Sequence, residues 1–162
     1  MSERNIVATL QCFVKKGNKY LMLHRNANKR ILPNVWMGPG GKREFNEGLF
    51  ESAQREVMEE TGLKIKNLRI MCTGWGYLKD IDQEVFFHFI EADYDSGEVI
   101  QNPEDGELCW LTLPEILKLD NLLAELKEVL PITLKPNAPM ISYRVFYEKG
   151  NEMTEFKIES SI

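Results

Sequence analysis

Apolar residues dominate two segments near the start of the chain, 5–14 (NIVATLQCFV) and 19–25 (KYLMLHR). These apolar runs, with their β-branched and aromatic residues, predict two strands. The residues between them include the pair Gly17-Asn18, which is typical of a tight hairpin turn. We therefore predict an antiparallel hairpin at the start of the fold.

The pattern changes to helical spacing in segment 47–61. Phe50, Ala53 and Val57 fall on one side of a helix there and predict a stripe that faces the core. Gly62 follows directly and is a typical residue for ending a helix. This segment is the first predicted helix.

Strands and one further helix account for the rest of the chain. Segment 114–130 has helical spacing, with Pro114 near its start and Pro131 at its end. Residues 26–40 are irregular and end in a glycine-rich loop. Further strands are predicted at 67–78, 83–93, 142–148 and 153–159, the last two as a hairpin. This order predicts a single α+β domain over residues 1–162.

Charged residues recur at fixed spacing in and before the first predicted helix. The pattern is Gly41, Glu47, Arg55-Glu56-Val57, Glu59-Glu60 and Gly62-Leu63, and such a match arises by chance at on the order of 10⁻⁸ per starting position. At about 100° per residue, Glu56, Glu59 and Glu60 share one helix face, where like charges repel. Mg²⁺ prefers oxygen ligands and relieves that repulsion, so the pattern predicts a divalent metal site. The alternative is a charged, solvated helix face.

Residues 41–63 resemble the Nudix box. The resemblance implies a mixed β-sheet sandwiched between helices, and an enzyme that uses water with Mg²⁺ or Mn²⁺ to cleave a substituted nucleoside diphosphate. It implies that Glu56, Glu59 and Glu60 are catalytic metal ligands, with Glu56 as the base, and that the Gly40 carbonyl is a further ligand. Structural roles are implied for Gly41, Glu47, Arg55 and Gly62, with an ion pair between Glu47 and Arg55.

The segments VWMGPGGK and LCWLTLPEI and the C-terminal hairpin are similar to the MutT-like branch, which removes oxidised purine nucleoside triphosphates. On this resemblance Arg25 contacts a phosphate, Trp36 stacks on a base and Asp120 reads a purine edge. An exposed strand-end arginine and a core tryptophan are the alternative interpretations of the first two. Met37 stands where some members of the branch have an asparagine, and a thioether cannot form an amide's paired hydrogen bonds.

A carboxylate outside the box is also implied by the resemblance. The acidic turn at 102–107 precedes Trp110, and the family pattern selects Glu104 or Asp105 as an additional metal ligand or base. Glu104 has the longer side chain and is the preferred choice. The alternative is an acidic surface turn.

Net charge, apolar run length and cysteine content limit the partners and the cellular location expected for the protein. The net charge of −5 argues against an extended nucleic-acid interface, and no apolar run reaches the roughly 18 residues that a membrane span needs. Three scattered cysteines and the lack of a signal-peptide pattern predict a cytoplasmic protein. The sequence makes no prediction of oligomeric state.

The substrate expected from these observations is a small nucleotide. The leading hypothesis is a purine nucleoside triphosphate, including 8-oxo-dGTP, cleaved to monophosphate and pyrophosphate. The alternatives are a dinucleotide polyphosphate, a nucleotide sugar, a capped RNA end, or a non-catalytic nucleotide-binding module.

Overall fold

A computed structural model describes residues 3–160, so the outermost two residues at each end of the predicted domain lie outside the described part. Within residues 3–160 there are nine strands and three α-helices. The strands are β1 (Ile6–Lys16), β2 (Lys19–Arg25), β3 (Trp36–Met37), β4 (Gly40–Lys42), β5 (Lys64–Leu78), β6 (Gln83–Ser96), β7 (Gly106–Thr112), β8 (Ile141–Lys149) and β9 (Glu152–Ile158). The helices are α1 (Leu49–Thr61), α2 (Leu113–Leu117) and α3 (Ala124–Thr133).

The strands form one mixed sheet in the order β3-β2-β1-β6-β5-β8-β9, with β4 paired to β1 and β7 paired to β2. Two neighbouring pairs, β1 with β6 and β5 with β8, run parallel. The remaining pairs are antiparallel, including the predicted hairpin of β1 and β2 and that of β8 and β9. The predicted α+β class is confirmed.

Helices cover both faces of this sheet. On one face, Ala53 and Val57 of α1 pack into a core with strand residues such as Leu10 and Ile90. On the other face, α2 and α3 pack over a larger core rich in aromatic residues, which includes Phe89. The sheet is therefore sandwiched between helices, as the resemblance implied.

Strands β1 and β2 pair with each other only near their connecting turn, and farther along they pair with segment 36–42 instead. Strand β3 pairs with β2, while β4 pairs with β1 over Thr9 to Gln11. Gln11 completes this arrangement because its side chain accepts a hydrogen bond from the Gly38 N–H at 2.9 Å. The glycine-rich segment before the motif is thereby built into the sheet.

Three details differ from the sequence-based predictions. The helix predicted at 114–130 is two helices separated by a turn, and Pro131 lies inside α3 instead of at its end. Phe50 is 42% exposed and does not belong to the core stripe, because Ala53 and Val57 define the buried side of α1. Strand β3 lies in segment 26–40, which is predicted to be irregular, and β7 begins in the predicted acidic turn at 102–107 and continues to Thr112.

The break between α2 and α3 has a local cause. Asn121 adopts a left-handed backbone conformation with φ of 60°, which ends helical geometry. Its carbonyl accepts a hydrogen bond from the Trp36 N–H at 3.1 Å, and the Trp36 carbonyl accepts one from the Leu123 N–H at 3.0 Å. These strand-like bonds replace helical ones, so local periodicity does not show the break.

None of the helices among residues 3–160 is long and apolar enough to cross a membrane.

The first prediction concerns Gly40. A Cβ at this position would collide with the Leu10 carbonyl and lie 2.8 Å from the Gln11 Cα, both of them backbone atoms. We expect Gly40→Ala to lower the free energy of unfolding by about 1–3 kcal/mol, since backbone must shift to make room. Gly48→Ala is the control, because only the Glu51 carboxylate lies near its Cβ, at 4.0 Å. Equal urea-unfolding midpoints for the two variants would contradict this account.

Candidate active site

Helix α1 presents the motif, and its ends are fixed locally. The Gly48 N–H donates to the Glu51 carboxylate at 3.0 Å at the start of the helix. At the end, Gly62 takes φ of 80° and its N–H donates to the Met58 carbonyl at 3.0 Å, as predicted for a helix stop. The motif carboxylates thus lie on a helix of defined length that follows directly after β4.

Arg55 is the centre of the charged cluster. Its guanidinium pairs with Glu47 through two hydrogen bonds, and Nη1 lies 3.0 Å from Glu56 and 3.1 Å from Glu59. Nη2 also donates to the Lys42 carbonyl at 3.2 Å. Hydrogen bonding from Arg55 lowers the pKa of Glu47 to about 2. The implied ion pair of Glu47 and Arg55 is therefore present, and it connects the motif loop to α1.

Glu60 contacts the glycine loop directly. Its carboxylate accepts a hydrogen bond from the Gly40 N–H at 2.9 Å. Burial raises its pKa to about 7, and the negative charges of Glu56 and Asp105 act in the same direction. The positive charges near Glu60 are therefore too few to offset the effect of burial on its charged form.

Glu56 packs against the second glycine of the loop. A Cβ on Gly41 would lie 2.5 Å from Oε1 of Glu56, so this approach requires glycine. Burial also raises the pKa of Glu56, although the Arg55 guanidinium opposes the change. Two partly desolvated carboxylates therefore adjoin the Gly40–Gly41 backbone.

The donor set fits a hard divalent cation. Carboxylate and carbonyl oxygens are the ligands that Mg²⁺ prefers, and a cation would stabilise the charged forms of Glu56 and Glu60 that burial disfavours. As the side chains stand, no three His, Cys, Asp or Glu groups within 3–160 converge closely enough to hold a metal ion. Glu56 and Glu59 are turned toward Arg55, and Glu60 toward the Gly40 N–H.

In the acidic loop, Asp105 lies nearer the motif than Glu104 does. Glu104 is exposed, and its N–H donates to the Asn102 side chain at 3.2 Å. Asp105 is less exposed, lies 3.3 Å from Lys29 Nζ, and contributes to the raised pKa of Glu60. These observations favour Asp105 as the additional metal ligand or base. The longer side chain of Glu104 had favoured Glu104 for that role.

A cavity of about 230 Å³ lies on the α3 side of the sheet, beside β4. Its wall includes the apolar side chains of Phe87, Phe89 and Val145, while Arg30 and Lys42 supply positive charge. Lys42 belongs to β4, next to Gly41. The cavity therefore adjoins the motif loop and combines an apolar interior with two cations.

Glu125 is the acidic residue in this cavity wall, and it is only 5% exposed. Its carboxylate accepts hydrogen bonds from the hydroxyls of Tyr143 and Tyr147, the latter at 3.1 Å. Burial raises the pKa of Glu125 to about 7, despite these two hydrogen bonds. A buried carboxyl that changes charge near neutral pH is thus available beside the cavity.

The four residues predicted to contact substrate lie outside this cavity. Arg25 donates to the Ile31 carbonyl, and Trp36 stacks on His24 with ring centroids 4.5 Å apart. Met37 is buried in the aromatic core, and Asp120 is an exposed residue in the turn between α2 and α3. None of the four is among the cavity-lining residues.

Sequence reasoning missed Glu125, although a signal existed. Apart from Leu123, the buried positions of this segment recur at helical spacing, and they are Leu122, Glu125, Leu126, Val129, Leu130 and Thr133. A glutamate within an apolar stripe is costly unless it has partners, so its position marks a functional or hydrogen-bonded group.

Comparison with known families identifies this arrangement. The NUDIX domain profile matches residues 4–131, most of the chain. The chain belongs to the Nudix family. It is a Nudix hydrolase, and the motif around Arg55 is its Nudix box.

Relatives of this Nudix hydrolase include proteins with different stated activities. An uncharacterised Nudix hydrolase, YvcI of Bacillus subtilis, is 31% identical over 112 residues, which is 67% of each chain. The m7GpppN-mRNA hydrolase NUDT17 of Xenopus laevis is 44% identical over 52 residues, 32% of this chain and 18% of the relative. The NAD-capped RNA hydrolase NudC of Salmonella agona is 37% identical over 83 residues, 51% of this chain and 28% of the relative. The chain thus aligns with less than a third of NUDT17 and NudC.

Solved structures of MutT proteins share the Nudix fold. A mutator MutT protein from Bacillus halodurans superposes with a TM-score of 0.82 at 23% identity, covering 96% of this chain and 99% of that one. A MutT protein from Methanosarcina mazei gives a TM-score of 0.69 at 25% identity, covering 81% and 94%. The first likeness shows the shared fold, and the second, at 25% identity, supports the MutT-like branch that the sequence resembled.

The second prediction concerns the pH dependence of stability. Because the folded-state pKa of Glu125 exceeds its ordinary value of 4.5, the folded protein binds this proton more tightly than the unfolded chain does. This contribution to stability is full below pH 4.5 and is lost as pH rises to about 7. We expect Glu125→Gln to remove this contribution, which amounts to up to about 3 kcal/mol.

Urea unfolding from pH 5 to pH 8 measures this effect as a difference between the wild-type and variant curves. Glu128→Gln, an exposed carboxylate on the same helix, is the matched control and should follow the wild-type pH dependence. Parallel wild-type and Glu125→Gln curves would show that Glu125 does not titrate in this range.

Proposed function

We propose that the protein hydrolyses a purine nucleoside triphosphate, including one with an oxidised base such as 8-oxo-dGTP, to the monophosphate and pyrophosphate. The reaction takes place in the presence of Mg²⁺, for which Mn²⁺ can substitute, and we place it in the cytoplasm. The observation that carries the proposal is the cavity beside the Nudix box, which combines an apolar interior, cations and a buried acid.

The cavity suits a nucleotide with its base inward and its phosphates outward. Phe87 and Phe89 provide aromatic surface for a flat ring, and Arg30 and Lys42 provide charge for phosphate oxygens. Each oxygen of the Glu125 carboxylate accepts one tyrosine hydrogen bond and retains a lone pair for a donor on the base, and protonation would turn one oxygen into a donor. Both forms match the adjacent donors and acceptors on a purine edge.

The box residues supply the remaining functions. Glu56, Glu59 and Glu60 would hold Mg²⁺ with the Gly40 carbonyl, and the bound ion would neutralise phosphate charge and acidify water. Glu56 adjoins the Gly40–Gly41 loop, and in this proposal it would accept a proton from the attacking water. Arg55 and Glu47 hold the loop and α1 in register.

A capped RNA end is the second candidate, because NudC and NUDT17 are described as acting on capped RNA. The two alignments cover only 28% and 18% of those relatives. The cavity presents two cations, and the net charge is −5, which disfavours long contact with an RNA backbone. These observations favour a free nucleotide.

The third prediction is the test of the proposal. Purified protein with Mg²⁺ is assayed against dGTP, 8-oxo-dGTP, dATP, pyrimidine triphosphates, a dinucleotide polyphosphate, a nucleotide sugar and NAD-capped RNA, with products identified. We expect purine triphosphates to give the highest kcat/KM, with monophosphate and pyrophosphate as products and no activity in EDTA.

Two box variants serve as the inactive references. Glu56→Gln and Glu60→Gln should each lower kcat by at least about 100-fold, since each removes a metal ligand or base. Glu128→Gln is the folded control, and circular dichroism checks all three variants. If capped RNA is cleaved with the highest kcat/KM, the purine triphosphate proposal is wrong and capped RNA is the substrate.

The fourth prediction separates the two loop carboxylates. We expect Asp105→Asn to raise the Mg²⁺ concentration for half-maximal activity, by roughly tenfold, because Asp105 lies in the electrostatic environment of Glu60. Glu104→Gln, whose side chain is exposed, should behave as wild type. Calorimetric titration with Mg²⁺ provides a readout independent of turnover. If Glu104→Gln weakens Mg²⁺ binding more than Asp105→Asn does, Glu104 is the additional metal ligand, as its longer side chain suggested.

A further inference from the structure

Segment 26–34, here called the substrate loop, connects β2 to β3 and supplies Arg30, Ile31 and Leu32 to the cavity wall. Its backbone is unusual, because Leu32 has φ of 50° and Asn34 has φ of 61°. Residues with side chains rarely adopt this left-handed region, and the cost must be met by surrounding contacts. The conformation that lines the cavity is therefore one that other groups must stabilise.

Both ends of the substrate loop are attached to neighbouring segments. At its start, the Asn26 side chain donates to the Pro103 carbonyl at 2.6 Å and the Asn26 N–H donates to the Asp105 carbonyl at 3.1 Å. At its end, the Asn34 carbonyl accepts a hydrogen bond from the Asn121 side chain at 2.8 Å. The Lys29–Asp105 ion pair at 3.3 Å extends the first attachment to Lys29, but none of these contacts involves the cavity-wall residues 30–32.

Arg25 holds the middle of the loop. Its Nε and Nη2 both donate to the Ile31 carbonyl, at 3.1 and 2.9 Å. Two donors from one charged, planar group restrict the position of that carbonyl more strongly than a single neutral bond. Ile31 is itself a cavity residue, so these two bonds act directly on the cavity wall.

Arg25 also interacts electrostatically with a carboxylate of the Nudix box. Burial lowers the pKa of its guanidinium, and the carboxylates of Glu60 and Asp105 oppose that change. The charge of Arg25 therefore interacts with carboxylates of the box helix and the acidic loop, while its hydrogen bonds go to the substrate loop. A change in the position of Arg25 would alter the wall of the cavity and the surroundings of Glu60 together.

We propose that Arg25 is a positioning residue that holds the substrate loop in the strained conformation lining the cavity, through its two hydrogen bonds to the Ile31 carbonyl. This differs from the phosphate contact expected from sequence resemblance. That the loop contacts a nucleotide rests on the proposed function, whereas its attachment to Arg25 does not.

The test compares Arg25→Gln and Arg25→Lys with Arg144→Gln as the matched control. Arg144 is an exposed arginine of β8 that pairs with Glu155 at 3.2 Å and is not a cavity residue, so this control removes the same charge elsewhere. Amide hydrogen exchange is measured on the protein without substrate, and KM and kcat are measured with the nucleotide that the wild type cleaves best.

We expect Arg25→Gln to accelerate exchange of the amides of residues 29–32 by at least about tenfold, with α1 unchanged, because local opening becomes easier. KM should rise roughly tenfold while kcat stays within about threefold, since substrate binding is affected without loss of a group acting in the transition state. Arg25→Lys should be intermediate, since one ammonium replaces a fixed pair of donors. The Arg144→Gln control should match wild type in each measurement.

Two results would overturn the positioning role. One is unchanged exchange in the loop with a fall in kcat of about 100-fold or more, which indicates that Arg25 acts on the reacting phosphates. The other is unchanged exchange with unchanged kinetics. If the wild type cleaves no nucleotide, the proposed function fails, and the exchange measurement still decides whether Arg25 holds the loop.

Discussion

The structure depends on the close approach of the glycine loop to the backbone of β1. Gly40 lies against the backbone of β1, and Gly41 lies against the Glu56 carboxylate. A side chain at Gly40 would push β4 away from β1, and one at Gly41 would displace the Glu56 carboxylate from the loop. Because β4 also carries Lys42 into the cavity wall, this contact fixes the Nudix box and the adjoining cavity relative to each other.

The electrostatics of the box follow from this geometry. One arginine, Arg55, contacts Glu47, Glu56 and Glu59, and so partly neutralises several negative charges. Glu60 is left with the Gly40 N–H, and burial raises its pKa. A single guanidinium holds the scaffold together but leaves excess negative charge beside the glycine loop. That excess is the property that makes the site suited to a divalent cation.

Sequence reasoning succeeded where the signal was local and regular. The first hairpin, the extent of α1 to within two residues, its end at Gly62 and the C-terminal hairpin follow from periodicity and turn residues. It failed where tertiary contacts override propensity. Asn121 ends a helical pattern because Trp36, distant in sequence, exchanges backbone hydrogen bonds with its neighbourhood. The four residues predicted to contact substrate stay predictions, and they lie outside the cavity lining because loop paths determine which side chains point into it.

The break at Asn121 also explains how an acid comes to lie in an apolar cavity. If residues 114–130 formed one continuous helix, its buried face would be set by Ile116 and would repeat at helical spacing from there. The turn instead restarts the helix at Ala124, with Glu125 in its first turn and near Tyr143 and Tyr147. The bonds that create the turn involve Trp36, which precedes the Nudix box by only a few residues. The same backbone hydrogen bonds therefore position Glu125, the residue proposed to read the base, and the loop that precedes the Nudix-box helix. A change in segment 36–42 would consequently affect both the cavity and the Nudix box.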